Sequence, residues 1–186
     1  ILPELRRSRL IINYETVGRS DDEIKALLAS DPMKLSADEL LYAASLEKDP
    51  AKKEEIYKKT SEYYDRDYRA YNNLAALEMS KGNYDQAQTY LNKAAAIDRN
   101  GGEIYANEGL IALKNGNLAE AENLIGKAAN CKGFGQAMGT LYIAKGNYSG
   151  AMQTLREQDT NTAALANILV NDLSGAKAAL NKVKNP

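Results

Sequence analysis

Residues 68–101 read YRAYNNLAALEMSKGNYDQAQTYLNKAAAIDRNG, and this stretch decides the fold. Tyr71, Leu74, Ala75 and Met79 recur at helical spacing, with Glu78 as the one off-pattern residue. Lys81-Gly82-Asn83 then breaks the run, because glycine tolerates the left-handed backbone that closes a helix. Tyr84, Ala87, Tyr90, Leu91 and Ala94 resume the period on a second helix. The small side chains of Ala75, Ala87 and Ala94 let two antiparallel helices approach to about 8–10 Å between axes. The stretch predicts a helix–turn–helix unit with no room for a strand.

The phrase returns along the chain. Gly82-Asn83-Tyr84 with Ala87, Leu91 and Ala94 reappears 34 residues on as Gly116-Asn117-Leu118 with Ala121, Ile125 and Ala128. It recurs after a further 30 residues as Gly146-Asn147-Tyr148 with Ala151 and Leu155. A weaker copy, Asn171-Asp172-Leu173 with Ala176, Leu180 and Val183, lies 25 beyond that. One step of 34 back from the first clear copy reaches Lys53, Tyr57 and Thr60, a degenerate unit. Self-similarity at such a period is the signature of a stacked array, in which each unit buries its apolar face only against its neighbours.

These residues resemble the tetratricopeptide repeat family. Tyr71, Leu74, Ala75, Gly82, Tyr84, Ala87, Leu91 and Ala94 follow the family's order and spacing. Tyr105, Gly109, Gly116, Leu118, Ala121, Ile125 and Ala128 repeat it, as do Gly139, Tyr142, Gly146, Tyr148, Ala151 and Leu155. Arg99 stands where the family carries a proline near the end of the first unit. The expected fold is all-α: a right-handed α-solenoid of helix pairs at 68–101, 102–131, 132–158 and a degenerate 159–186, preceded by helices and a divergent repeat over 20–67.

Ahead of the array, Ser20 with Glu23 and Ser36 with Glu39 form two capping boxes that open helices. Pro50 fits the first turn of the next helix, which carries Ile56, Tyr57 and Tyr63. Residues 9–17, rich in branched and aromatic side chains, predict a short N-terminal strand within a segment spanning 1–19. A lone strand needs a partner. Two accounts are open: the last strand of an upstream domain, suggested also by the initial Ile, or a strand that pairs with a second copy and makes a homo-oligomer.

Composition narrows the chemistry. The 186 residues include no His and a single Cys, so a Ser-His-Asp triad, a Cys-His pair and the common zinc sites cannot be built within the chain. Twenty-four basic residues against 25 acidic ones give a net charge of −1, with no field to draw the chain onto nucleic acid or an anionic membrane. No apolar run is long enough to insert across a bilayer. Asp21-Asp22 reads as a helix first turn, and Glu54-Glu55 among lysines reads as a solvated helix face rather than acid–base machinery. The glycines at 133, 135 and 139 lack the preceding strand and following Lys-Ser/Thr of a phosphate loop, so they read as a turn and, at Gly139, a close helix contact. Cys131 reads as a small buried hydrophobe. Tyr71, Tyr84, Tyr105, Tyr142 and Tyr148 fall on core positions. No catalytic residue, cofactor or metal is expected.

The resemblance implies where a partner binds. In this family the first helix of each pair lines a concave groove that holds a peptide or partner helix. Carried over, the exposed positions of that face are Arg69, Asn72, Asn73, Ala76 and Ser80 in the first clear unit. Glu103, Ala106, Asn107, Leu110 and Lys114 follow in the second, and Gln136 and Thr140 in the third. Asn73 and Asn107 stand 34 apart and suit pairing with a peptide backbone or, equally, with the backbone of a neighbouring helix. The cations with which chaperone-binding relatives grip an acidic tail are replaced by Asn72, Ala76, Gly133 and Ala137, which argues against that ligand. The function expected is a non-catalytic protein–protein interaction scaffold. The alternative is a structural spacer or self-association module of a bacterial cell-envelope protein, a setting in the periplasm or envelope.

Overall fold

The structure, a computed structural model, describes residues 18–129, 131–158 and 160–183. Among them every regular element is helical. The strand expected at 9–17 lies outside the described residues.

The chain enters through α1 (Asp21–Ser30), a 3-10 turn at Pro32–Lys34, α2 (Ala37–Leu46) and α3 (Pro50–Tyr63). Both capping boxes form. The Ser20 backbone N–H donates to Glu23 Oε2 at 2.8 Å, and that of Ser36 donates to Glu39 Oε2 at 2.8 Å. The same backbone bonds hold both carboxyls below their ordinary range, helped at Glu39 by Arg19. Pro50 occupies the first position of α3, where its missing N–H costs nothing. Leu35, Leu40, Ala44 and Ile56 form a core under these helices, and the Tyr64 hydroxyl ties the loop by donating to the Leu35 carbonyl at 2.5 Å.

Four helix pairs follow: α4 (Tyr68–Ser80) with α5 (Tyr84–Ile97), α6 (Gly102–Lys114) with α7 (Leu118–Lys127), α8 (Phe134–Ala144) with α9 (Tyr148–Leu155), and α10 (Asn161–Leu169) with α11 (Leu173–Lys182). All four turns close in the same way. In the first, the Gly82 N–H bonds the Met79 carbonyl and the Asn83 N–H bonds the Glu78 carbonyl at 2.9 Å, the crossed pair that ends a helix on a left-handed residue. Gly82, Gly116 and Gly146 take that conformation with φ of 83°, 79° and 75°, and Asn171 takes it with φ of 62°. Asparagine is the side chain best able to stand in for glycine there, which is why the degenerate copy still turns.

Stacking uses the small residues. A Cβ on Gly109 would lie 2.5 Å from Ile125 Cγ1, and one on Gly139 would lie 2.5 Å from Leu155 Cγ, so each glycine admits the large side chain of its partner helix. Between pairs, Leu91 shares a cluster with Ile104 and Ile111, Ile125 with Leu141, and Leu155 with Ala163 and Ala166. Successive first helices pack directly, α4 on α6, α6 on α8 and α8 on α10, more closely than successive second helices do. The array therefore curves with the first helices on its inner side.

One expectation is corrected. Tyr71, Tyr84, Tyr105 and Tyr142 do pack against core clusters, half-buried, but Tyr148 stays exposed outside them. Leu118, which holds the same place one unit earlier, is exposed as well. Glu78, off pattern in the sequence, is buried. Its carboxylate accepts from Lys81 Nζ at 2.7 Å and Asn83 Nδ2 at 2.8 Å, and Lys81 reaches on to Glu54 of α3 at 2.5 Å. An ionic link thus joins the divergent pair to the first clear repeat.

Candidate binding groove

The inner faces of α2, α4, α6 and the start of α8 enclose a groove of about 570 Å³. Each helix offers the positions between its core residues, because a 3.6-residue period that buries one stripe leaves the adjacent stripe facing the inner side of the curve. From α4 come Arg69, Asn72, Asn73 and Ala76; from α6, Glu103, Ala106, Asn107 and Leu110; from α8, Gln136. Of the residues expected from sequence, Ser80, Lys114 and Thr140 lie elsewhere. Ser80 lines an adjoining hollow that shares Tyr57, Asn73 and Ala76 with the groove, Lys114 Nζ sits 5.4 Å from the Tyr84 ring, and the Thr140 hydroxyl donates back to the Gln136 carbonyl at 2.8 Å. Each stands one turn further along its helix than the last groove residue.

The amides divide between structure and surface. Asn107 Nδ2 donates to Asn72 Oδ1 at 2.9 Å, across from α6 to α4. This corrects the expectation that Asn72 and Ala106 are exposed: both are buried between stacked helices, Asn72 by that bond. Asn107 therefore has a neighbouring side chain, rather than a backbone group, as its partner. Asn73 is half-buried in the lining with no partner of its own among the described residues. Gln136 Nε2 bonds Thr162 Oγ1 at 2.5 Å, while Gln136 Oε1 is buried without a partner. Equivalence at a spacing of 34 residues fixed the position of Asn73 and Asn107 but not their bonding.

Charge in the groove is mostly neutralised. Arg69 bridges Asp67 at 2.6 Å and Asp38 at 2.6 Å, and the pairing with Asp67 above all raises its guanidinium beyond its ordinary value. Asp67 is correspondingly lowered by Arg69. Glu103 accepts from the Tyr68 hydroxyl at 3.2 Å, and burial, then Glu103, pushes the Tyr68 phenol up. Lys132 lies exposed in the lining with no ion partner among the described residues.

Sequence reasoning missed the lining from the divergent pair: Leu41, Tyr42 and Ser45 of α2 and Tyr57 of α3. A signal existed. The step of 34 that finds Tyr57 from Leu91 also finds Tyr42 from Ala76. Tyr42 is held by its hydroxyl, which donates to Asp21 Oδ1 at 3.0 Å, and that carboxylate pushes the phenol up.

Elsewhere, Glu54 pairs with Lys58 and Lys81, and Glu55 with Lys59. Cys131 is half-buried against the core of the second pair, and burial raises its thiol above the usual value. Gly133, with φ of 93°, is the N-cap of α8. Among the described residues no cluster of His, Cys, Asp or Glu is placed to hold a metal ion, and no helix is long and apolar enough to cross a membrane.

Residues 68–100 match the tetratricopeptide repeat family. No curated protein matches the chain in sequence. Among solved structures, it is similar to the APC/C hetero-tetramer Cut9–Hcn1, with 15% identity and a TM-score of 0.67 over 86% of this chain and 36% of that one. The present chain thus spans about a third of that neighbour's length. It is also similar to a tetratricopeptide repeat protein of Parabacteroides merdae, at 16% identity and TM-score 0.52 over 87% and 70% of the two chains. A third likeness is to pilF of Pseudomonas aeruginosa, at 20% identity and TM-score 0.50 over 87% and 80%.

Proposed function

We propose that this tetratricopeptide-repeat chain is a non-catalytic scaffold that holds a segment of a partner protein in the groove between α2 and α8. The observation that carries the reading is the lining itself: unpaired Asn73 beside apolar Leu41, Ala76 and Leu110, on helices locked by their own stacking. Rigid elements presenting a free amide, Asn73, and the unpaired Gln136 Oε1 among apolar side chains suit an extended peptide, whose backbone needs donors and acceptors and whose side chains need pockets. The ion pairs of Arg69 leave little net charge to select an acidic tail, so recognition rests on shape and backbone pairing. The hetero-tetrameric state of the Cut9–Hcn1 neighbour agrees with a role in assembly.

A peptide-display selection against the chain tests this. Selected peptides are expected to lose at least tenfold in affinity on Ala76→Arg, which fills the groove from an exposed position, and to keep it on Leu118→Arg on the outer face. Peptides indifferent to Ala76→Arg would refute the groove.

A further inference from the structure

The lysines of α3 are not equivalent. Lys58 and Lys59 reach back four residues to Glu54 and Glu55, the pairing that helical spacing favours. Lys53 has no such carboxylate. Four residues before it stands Asp49, whose side chain accepts from the Ala51 N–H at the start of the helix, and four residues after it stands Tyr57. Lys53 is half-buried, with no ion partner among the described residues. Of the other cations around the inner face, Arg69 is held by Asp67 and Asp38, and Lys132 is exposed on the loop before α8.

Lys53 lines the hollow that adjoins the groove, about 220 Å³ between α3 and α4. The helical period decides what meets there. Lys53 and Tyr57 lie one turn apart on α3, while Asn73, Ala76, Leu77 and Ser80 follow i, i+3, i+4, i+7 on α4. Three donors line the hollow: the Lys53 ammonium, the Tyr57 hydroxyl and the Asn73 amide. None of the three has a hydrogen-bond partner among the described residues. Burial pushes the Tyr57 phenol up, so it stays protonated and able to donate. The Ser80 hydroxyl already donates to the Leu77 carbonyl at 2.6 Å. No carboxylate lines the hollow. A half-buried cation beside two neutral donors is an unbalanced set that favours an incoming anionic oxygen.

We infer that this hollow is an acid-selective subsite of the groove, in which the bound segment places one Asp or Glu carboxylate against Lys53, Tyr57 and Asn73. Such a subsite rests on the groove reading and adds to it a side chain that the partner must carry. Tyr57, Asn73 and Ala76 line the hollow and the groove alike, so a segment lying along Leu41 and Leu110 can turn a side chain across the small Ala76. The hollow is several times the roughly 30 Å³ that one water occupies, which leaves room for a carboxylate and the methylene carrying it. Asn73 serves both parts, with Nδ2 donating to the carboxylate and Oδ1 accepting a backbone N–H. Charge fixes the class. One ammonium balances one carboxylate, whereas a phosphoryl group brings about −1.5 to −2 and calls for clustered cations. Further acids along the segment would meet Glu103 of α6, so an acidic tail gains nothing over a single acid.

The probes are peptides from a display selection against the full chain, each made as selected and with its acidic residue changed to the matching amide. Selected peptides should carry one Asp or Glu. Fluorescence anisotropy should show a loss of about tenfold on the acid-to-amide change, the worth of a hydrogen bond to a charged group. Lys53→Gln should cost as much, and the two losses should not add: that variant should bind both peptide forms alike. Lys53→Glu should reverse the preference, favouring a peptide with lysine in the acid's place, which a merely structural lysine would not do. Lys52→Gln, the same change of charge one residue away on the exposed side of α3, should leave both affinities unchanged. Backbone amide NMR at Leu110 and Gln136 separates the subsite from the groove. Peptides that shift those amides yet carry no acid, or lose as much with Lys52→Gln as with Lys53→Gln, would overturn the subsite and leave the groove standing. Peptides that bind without moving those amides would remove the groove and the subsite together. Tighter binding of a phosphoserine form than of the acid form would overturn the carboxylate assignment.

Discussion

Glycine-to-alanine substitution at Gly109 and at Gly126 should move stability in opposite directions. Both glycines are helical and neither has positive φ. In each, alanine removes backbone freedom from the unfolded chain and stabilises a helix by about 0.5–1 kcal/mol. At Gly126 no other atom lies within 4 Å of the added methyl, so that gain stands alone. At Gly109 the methyl would sit 2.5 Å from Ile125 Cγ1 and 3.3 Å from the Ile125 backbone nitrogen. Ile125 is fully buried and β-branched, with restricted rotamers, so relief must come from moving α7 away from α6. Overpacking of this kind costs about 1–3 kcal/mol, which outweighs the helix gain and leaves a net loss of roughly 1–2 kcal/mol. For a chain of this size, 1 kcal/mol shifts Tm by about 2–4 °C. Thermal melts should therefore fall by roughly 2–8 °C for Gly109→Ala and rise by roughly 1–4 °C for Gly126→Ala. Because arrays can lose all-or-none behaviour, hydrogen exchange on α6 and α7 should accompany the melts. Equal stabilisation by both substitutions would refute the idea that a missing Cβ sets the helix spacing.

The Glu78–Lys81–Glu54 link makes stability depend on acid. Lys81 and then Asn83 lower the Glu78 carboxyl, and Lys58 and Lys81 lower that of Glu54. Folded values below the unfolded ones give stability that is fully present above the unfolded carboxylate value, near pH 4.5, and lost as pH falls through the folded values. Urea midpoints should drop below that pH, and Glu78→Gln should flatten the drop; an unchanged profile would exclude Glu78 as a contributor. Asn171→Gly should stabilise the chain by roughly 0.5–1 kcal/mol, since φ of 62° strains any side chain there, as a urea titration would read; a loss would mean that the asparagine side chain matters to the turn. Asn107→Ala should cost about 1–3 kcal/mol by leaving buried Asn72 without its donor, whereas Asn73→Ala should leave the melt unchanged. Equal melts for the two variants would break that distinction.

The helix pairs were legible because each depends on local chemistry: a glycine that turns, a capping box, small side chains where helices meet. Even Asn171 was found, as a residue standing where the phrase has glycine. The groove was legible less fully, for physical reasons. Helical spacing says which residues share a face, and Asn73, Ala76, Leu110 and Gln136 all line the groove. How far along the helix that face remains open depends on curvature, a property of the stack: Ser80 lines only the adjoining hollow, and Lys114 and Thr140 engage Tyr84 and Gln136. Partner choice among amides is likewise tertiary. A period of 34 makes Asn73 and Asn107 equivalent, but Asn107 meets Asn72, a residue of the preceding unit one place removed. Glu78 was visible as an exception, and its burial follows from Lys81 and Asn83 three and five residues on, a spacing that a helix with a tight terminal turn brings together.

The same positions do different work in the middle of the array and at its end. Between pairs, the bond from Gln136 to Thr162 fixes α10 against α8 and holds one end of the Gln136 amide, while its other end, Oε1, lies buried without a partner. Gln136 also lines the groove. Whatever orders α10 therefore bears on the last amide of the groove through a single hydrogen bond. Each pair in such an array draws stability from its neighbours, so loosening of α10–α11 would reach the groove through Thr162. Groove residues nearer α2 and α4 are insulated from that end by two intervening helix pairs and by the Glu78–Lys81–Glu54 link, which anchors them to α3 instead.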